Sequence, residues 1–320
     1  MAQTSTKKLK SIFSIVLFVV ILVLLFGYLY QNRADFANLF RLNTSLVLQM
    51  LFFAFCGCMM NAIYHKELLL TYNVNLKVRD WVGVVSLANV IAYVVPMRMD
   101  LIFSAAYYKK TKNLEYVKSA SMAAGNIIFG VAFCAIQVFI ALLCAGLLKD
   151  QWSLLLWGLC LALFVAVIGF VLFSLFFAKK CEVFLSKWSF VKKIVDGFNA
   201  LVLNKALLAR LLWILLLNNL FHLLLYMVCF KGIGMEVTLY EALFYSAVSR
   251  IITLVAVVPG NIGIKEMVLG IAATLMGNVF DNGIAVSLLH RVSLMSVHFV
   301  LALIFAYPVY KSYNSVETIK

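Results

Sequence analysis

The sequence predicts an all-α, polytopic membrane protein with six transmembrane helices and two re-entrant helical hairpins arranged as an inverted repeat. Three observations lead there. The 320 residues are 65% hydrophobic and only 12% charged, against about 45–50% and about 25% in soluble domains. Apolar runs of the length needed to cross a hydrocarbon core, about 20 residues, recur along the chain. The cations fall between those runs, and on alternate sides of them.

The first run, Ser11–Tyr30, is too long for a signal peptide and no small-residue cleavage site follows it, so it reads as a retained span. Leu46–Tyr64, Ser119–Leu148, Trp152–Ala178, Leu211–Phe230 and Ile284–Tyr307 are the other full spans. Two stretches differ. Trp81–Tyr108 and Ala242–Met276 each hold an apolar arm, then a proline with polar residues, then a shorter apolar arm. Arms of that length suit a hairpin better than a crossing. Broken backbone at membrane depth is tolerated only inside protein or beside a water-filled cavity.

Charge placement sets the orientation. With the N-terminus inside, the inner side collects Lys7, Lys8, Lys10, Lys66, Lys77, Arg79, the lysines between Lys109 and Lys118, the basic loop Lys179–Arg210, Lys311 and Lys320. The outer side receives Arg33, Arg41, Lys149 and Lys231. That bias predicts a plasma (cytoplasmic) membrane protein with both termini in the cytoplasm. It accounts for the net charge of +14 without a nucleic-acid partner. Arg98, Arg250, Lys265 and Arg291 remain at membrane depth.

This topology exposes a repeat within a single domain, 1–320, with half-repeats of about 46–148 and 211–310. Both hairpin cores, VIAYVVPMRMD and ITLVAVVPGNIGIKE, run from an apolar arm through Val-Val-Pro into polar residues. The halves start from opposite sides, so they are inverted. Inverted repeats with broken helices meeting near the midplane are a transporter signature.

The breaks are read at Pro96 in the first hairpin and at Pro259, Gly260 and Gly263 in the second. Proline removes a backbone donor, and glycine allows tight turns and close approach. Candidate substrate-binding residues are Arg98, Asp100, Asn261, Lys265, Glu266 and Arg291. Charges at membrane depth are costly and usually mark a pathway. The planar guanidinium suits a phosphate. Arg98 with Asp100, and Arg291 with Glu266, also make sense as internal pairs. Asp281 is the other sequence neighbour able to pair with Arg291. Arg250 fits a site or a structural pair equally well, and Asn126 stands in the first half about where Arg291 stands in the second. His65, His222 and His298 read as interfacial or packing residues, and Tyr107 and Tyr108 as interfacial anchors.

Catalytic signatures do not appear. There is no HExxH, P-loop, nucleophile elbow or acidic Mg²⁺ cluster. The 7 cysteines show no CxxC spacing and read as buried small hydrophobes. A non-enzyme without metal or cofactor is expected.

At Val257–Glu266 (VVPGNIGIKE), with Arg291 downstream and VVPMRMD at Val94–Asp100 as the first-half counterpart, the chain resembles the transmembrane region of the lysylphosphatidylglycerol synthase family, the flippase-like proteins. The resemblance covers roughly Lys10 to Lys311. It implies movement of charged or glycan-bearing lipids between leaflets, with a phosphate-headgroup lipid as the partner molecule. Synthase members carry a large soluble catalytic domain for which this chain has no room, so aminoacyl transfer is not expected. Gly125-Asn126 stand where the family often has an acidic–Arg pair. On this reading Arg98, Lys265 and Arg291 attract the headgroup, while Asp100 and Glu266 balance them and are placed to carry a coupling proton. A non-catalytic partner of a glycosyltransferase or lipid-modifying enzyme, and a transporter of a small water-soluble anion, are the other classes compatible with the sequence.

Overall fold

Helix limits follow the apolar runs and the capping residues between them. The computed structural model describes residues 42–95, 98–150, 152–172, 203–254 and 258–315, with 27, 30 and 199 besides. The Ser11–Tyr30 span, the Pro96 break and most of the Lys179–Arg210 loop lie outside the described residues.

All regular elements among the described residues are helical. In chain order they are α1 (Thr44–Leu70), α2 (Val78–Val94), α3 (Met99–Lys112), α4 (Tyr116–Lys149), α5 (Leu154–Leu172), α6 (Lys205–Gly232), α7 (Leu239–Leu254), a 3₁₀ turn (Pro259–Asn261), α8 (Ile264–Leu275) and α9 (Phe280–Asn314). Five of these, α1, α4, α5, α6 and α9, are long and apolar enough to cross a membrane. α1, α4, α6 and α9 contain the spans expected there and run past the expected limits into polar ends, while α5 covers Leu154–Leu172 of the expected Trp152–Ala178, whose last residues lie outside the described ones. Asn43 starts α1 by accepting from Ser45 N–H at 3.0 Å, and Asn204 starts α6 by accepting from Leu207 N–H at 3.1 Å. Asn113 and Asp150, both with φ of 54°, end α3 and α4 in the left-handed region.

The two proline-containing stretches are each a longer and a shorter helix: 17 and 14 residues for α2 and α3, 16 and 12 for α7 and α8. At 1.5 Å per residue these run about 18–26 Å, short of a hydrocarbon core of about 30 Å. Within each pair the two helices pack together.

Packing between the halves is reciprocal. α1 packs on α6, α2 on α9, and α7 on α4. The first turns of the longer arms are tied in the same way. Asp80 of α2 accepts from Ser312 Oγ of α9 at 2.9 Å, and Glu241 of α7 meets Lys149 Nζ of α4 at 3.1 Å. α5 packs on α4 and leaves most of its surface outward, as expected of a lipid-facing helix.

Tyr107 and Tyr108 are not interfacial anchors. Both are buried, Tyr107 against the end of α9 and Tyr108 beside Tyr107 in the wall between α1, α3 and α4. Tyr107 stacks on Tyr313 with centroids 6.3 Å apart, and Lys110 sits 3.9 Å over the same ring.

Small residues set the closest approach. A Cβ on Gly283 of α9 would lie 2.1 Å from the Leu269 backbone oxygen of α8. Backbone cannot yield as a flexible side chain does, so Gly283→Ala should force α8 and α9 apart. Overpacking of this kind costs about 1–3 kcal/mol. A lowered melting temperature in detergent checks this, and an unchanged one would show that the α8–α9 contact is not tight.

Candidate functional site

At the second break the helix ends leave carbonyls without intrahelical donors, and side chains supply the missing donors. α7 stops at Leu254, whose carbonyl accepts from Arg98 Nη1 at 3.3 Å. Arg98 itself precedes α3 in the left-handed region, φ 56°. Two residues back, the Ile252 carbonyl accepts from Asn261 Nδ2 at 2.7 Å. Past the 3₁₀ turn, the Gly260 carbonyl accepts from Arg291 Nη1 at 2.5 Å and the Asn261 carbonyl from Nη2 at 3.2 Å.

Gly260 (φ 56°) and Asn261 (φ 49°) carry the sharp reversal, and Gly263 (φ 83°) opens α8. A Cβ on Gly260 would come within 2.8 Å of the Tyr93 ring and 3.2 Å of Arg291 Nη1. Glycine is therefore needed there for conformation and for space. Through Tyr93 and Arg98 the first break is brought against the second.

Glu266 is fully buried, at 0% exposure. Its Oε2 accepts from Gly263 N–H at 2.7 Å, half of a capping box at the start of α8. Its Oε1 accepts from Arg291 Nε at 2.9 Å and from Ser287 Oγ at 3.3 Å, with Arg291 Nη2 at 2.7 Å. Of the two acids considered for Arg291, Glu266 is its partner. Both carboxylate oxygens are occupied, and the pair joins the broken backbone to α9.

Beside this clamp lies a cavity of about 260 Å³, near the small end of ligand pockets. Every described helix except α5 lines it. α1 contributes Asn61 and His65; α2, Asn89 and Tyr93; α3, Asp100 and Ser104; α4, Asn126. α6 contributes Asn218, Asn219, His222 and Tyr226; α7, Ser249 and Arg250; α8, Lys265; α9, His290, Arg291 and His298. Arg98 and Asn261 line it from the two breaks. The proposed residues Arg98, Asp100, Asn261, Lys265 and Arg291 thus share one cavity, and Glu266 stands behind its wall.

The cavity carries excess positive charge. Arg98 pairs with Asp100 at 3.4 Å, too long for a good hydrogen bond. Arg291 is neutralised by Glu266. Arg250 Nη1 instead donates to two neutral amides, Asn218 Oδ1 at 3.0 Å and Asn219 Oδ1 at 3.4 Å. Lys265 Nζ meets His290 Nδ1 at 3.2 Å. Among the described residues, neither Arg250 nor Lys265 has a carboxylate oxygen within 4.0 Å. A dry, paired core does not look like this. A cavity that takes an anion does.

His65, His222 and His298 were read from sequence as interfacial or packing residues, but all three line the cavity, together with His290. His290 Nε2 and His222 Nδ1 are 3.3 Å apart, Tyr226 stacks on His290 with centroids 4.2 Å apart, and His298 Nε2 meets Cys58 Sγ at 3.3 Å. The available signal was helical spacing. Asn218, Asn219 and His222 fall on one face of α6, in a run otherwise apolar.

A second cavity of about 430 Å³ adjoins the first, between α1, α3 and α4. His65, Leu101, Ser104 and Asn126 belong to both walls, and the rest of its lining is largely apolar, including Leu68, Ile102, Met122 and Ile127.

No group of three or more metal-ligating side chains occurs among the described residues. No curated protein and no solved structure matches the chain. Residues 11–303 match the family described as the lysylphosphatidylglycerol synthase transmembrane region. With most of its length matched and five membrane-length apolar helices among its described residues, this multi-pass membrane protein belongs to the lysylphosphatidylglycerol synthase transmembrane-region family.

Proposed function

We propose that the protein is a translocase for lipids with an anionic, phosphate-bearing headgroup, which passes through the polar cavity while the acyl chains stay in apolar surroundings. The observation that carries this reading is the pair of cavity-lining cations, Arg250 and Lys265, balanced by neutral groups rather than acids. A guanidinium held in place by two asparagine oxygens is already oriented, so little ordering is left for a phosphate to impose.

The adjoining apolar cavity favours a lipid over a water-soluble anion. It offers a place for the start of a chain next to the place for a headgroup. The reciprocal packing of α2 with α9 and α7 with α4, with Asp80 and Glu241 tied alike, supports the inverted-repeat reading. In that reading α2–α3 and α7–α8 are re-entrant hairpins whose breaks meet at the midplane, and the termini are cytoplasmic in the plasma membrane.

Native mass spectrometry of protein extracted in mild detergent tests the headgroup preference. Bound phosphatidylglycerol should exceed phosphatidylcholine when the two are offered equally, and Arg250→Met should remove the excess. Equal retention of both lipids by the unaltered protein would contradict an anionic site.

A further inference from the structure

Lys265, His290 and His222 form an unbroken chain across three helices, with contacts of 3.2 and 3.3 Å. Its direction can be assigned from donors and acceptors. An ammonium can only donate, so Lys265 Nζ donates to His290 Nδ1. His290 then carries its proton on Nε2 and donates to His222 Nδ1. The stacked Tyr226 ring and burial on α9 hold the His290 plane in register.

With Lys265 Nζ donating to its Nδ1, His290 has no free nitrogen for a second proton. Three cations line the same cavity: Lys265 from α8, Arg250 from α7, and Arg291 of α9 itself. The α8 carboxylate, Glu266, is committed to Arg291, and the α3 carboxylate, Asp100, to Arg98. His298 of α9 is engaged with Cys58 of α1, and Tyr93 of α2 is a neutral phenol. No acid near the chain remains free, among the described residues, to offset another positive charge.

We propose that an anionic phosphate entering the cavity takes the Lys265 ammonium as its partner, and that His290 Nδ1, so released, takes up a proton from water. One N–H bond forms at Nδ1 and none is lost from the chain. Nε2–H still donates to His222, and Nδ1–H becomes a second donor to the phosphate. Anion and proton therefore bind together, which makes the cavity a proton-coupled anion site. This rests on the cavity being the substrate site, and it names the ion that accompanies the substrate. Histidine is suited to the role because its unperturbed titration lies near neutrality, and coupled binding of proton and ligand is reciprocal.

Calorimetric titration of the full chain in detergent, in two buffers of different ionisation enthalpy, counts the protons taken up per ligand. Dihexanoyl phosphatidylglycerol and dimethyl phosphate are the two probes, because both are diesters whose own charge is constant between about pH 5 and 8. Uptake approaching one proton per bound ligand is expected near neutral pH. His290→Gln should abolish that uptake and weaken binding several-fold. His222→Gln should retain it, since the amide oxygen can still accept from His290 Nε2. Ligand binding without proton uptake, or uptake unchanged in His290→Gln, would overturn the proposal. If His290→Gln does not fold, the unaltered protein's buffer dependence still decides. Binding of dimethyl phosphate with uptake but no binding of the lipid would keep the proton coupling and sink the lipid reading. Lipid binding without uptake would do the reverse, and failure of both probes to bind would remove both.

Discussion

Glu266→Gln should lose most of its folded yield. The carboxylate is fully buried and holds Arg291 Nε and Nη2, Ser287 Oγ and Gly263 N–H. A neutral amide leaves the Arg291 guanidinium uncompensated in a water-poor interior. Breaking a buried pair from one side costs about 3–5 kcal/mol, a large share of the stability of a typical fold, about 5–15 kcal/mol. The double change Glu266→Gln with Arg291→Gln removes both charges and should recover part of that loss. Recovery will be incomplete, because Arg291 also donates to the Gly260 and Asn261 carbonyls, which then need other partners. Melting curves in detergent, together with the fraction of monodisperse protein, read this directly. A single variant that melts like the parent would show that the pair is not what holds the second break to α9.

Arg250→Met should have the opposite profile, with folding kept and transport lost. Arg250 contacts neutral asparagines, so its removal strands no carboxylate. The freed asparagine oxygens face a polar cavity. Hydrogen bonds to charged groups contribute about 1.5–3 kcal/mol, which is roughly 10–100-fold in the binding of an anionic headgroup at about 1.4 kcal/mol per tenfold. Arg250→Lys should fall between. It keeps the charge but loses the planar guanidinium, whose Nη1 donates to both Asn218 and Asn219. Initial rates of lipid translocation at matched levels of folded protein check both. Full activity in Arg250→Met would remove this residue from the pathway.

Helices were legible in the sequence because membrane spans announce themselves by length and apolarity. α1, α4, α5, α6 and α9 all sit on runs that read as spans. The second break was legible too, since Pro259, Gly260 and Gly263 cannot all continue a helix. That Arg291 needs an acidic partner followed from the cost of an unpaired arginine at that depth, and the structure selects Glu266 over Asp281, the other acid offered. What the sequence could not order was the roles within the charged set. Glu266 and Lys265 are adjacent residues, yet one turns back onto the start of α8 and the other reaches into the cavity. Helical rotation decides that, and rotation depends on packing such as the Gly283–Leu269 contact. His222 and His290 are 68 positions apart, so their contact is a property of how α6 meets α9. Arg250 could not be assigned until its partners proved to be amides. Tyr107 and Tyr108 look like interfacial aromatics by position, but both are buried, Tyr107 against Tyr313 at the end of α9.

The central claim is that an anionic headgroup crosses through the Arg250–Lys265 cavity. The most direct measurement is dithionite quenching of tail-labelled or headgroup-proximal fluorescent phosphatidylglycerol and phosphatidylcholine in reconstituted vesicles. Protein-containing vesicles should expose inner-leaflet phosphatidylglycerol to the quencher well above the rate of empty vesicles, phosphatidylcholine should lag, and Arg250→Met should fall to the empty-vesicle rate. Equal rates for the two lipids, or an Arg250→Met rate equal to the parent's, would contradict the account.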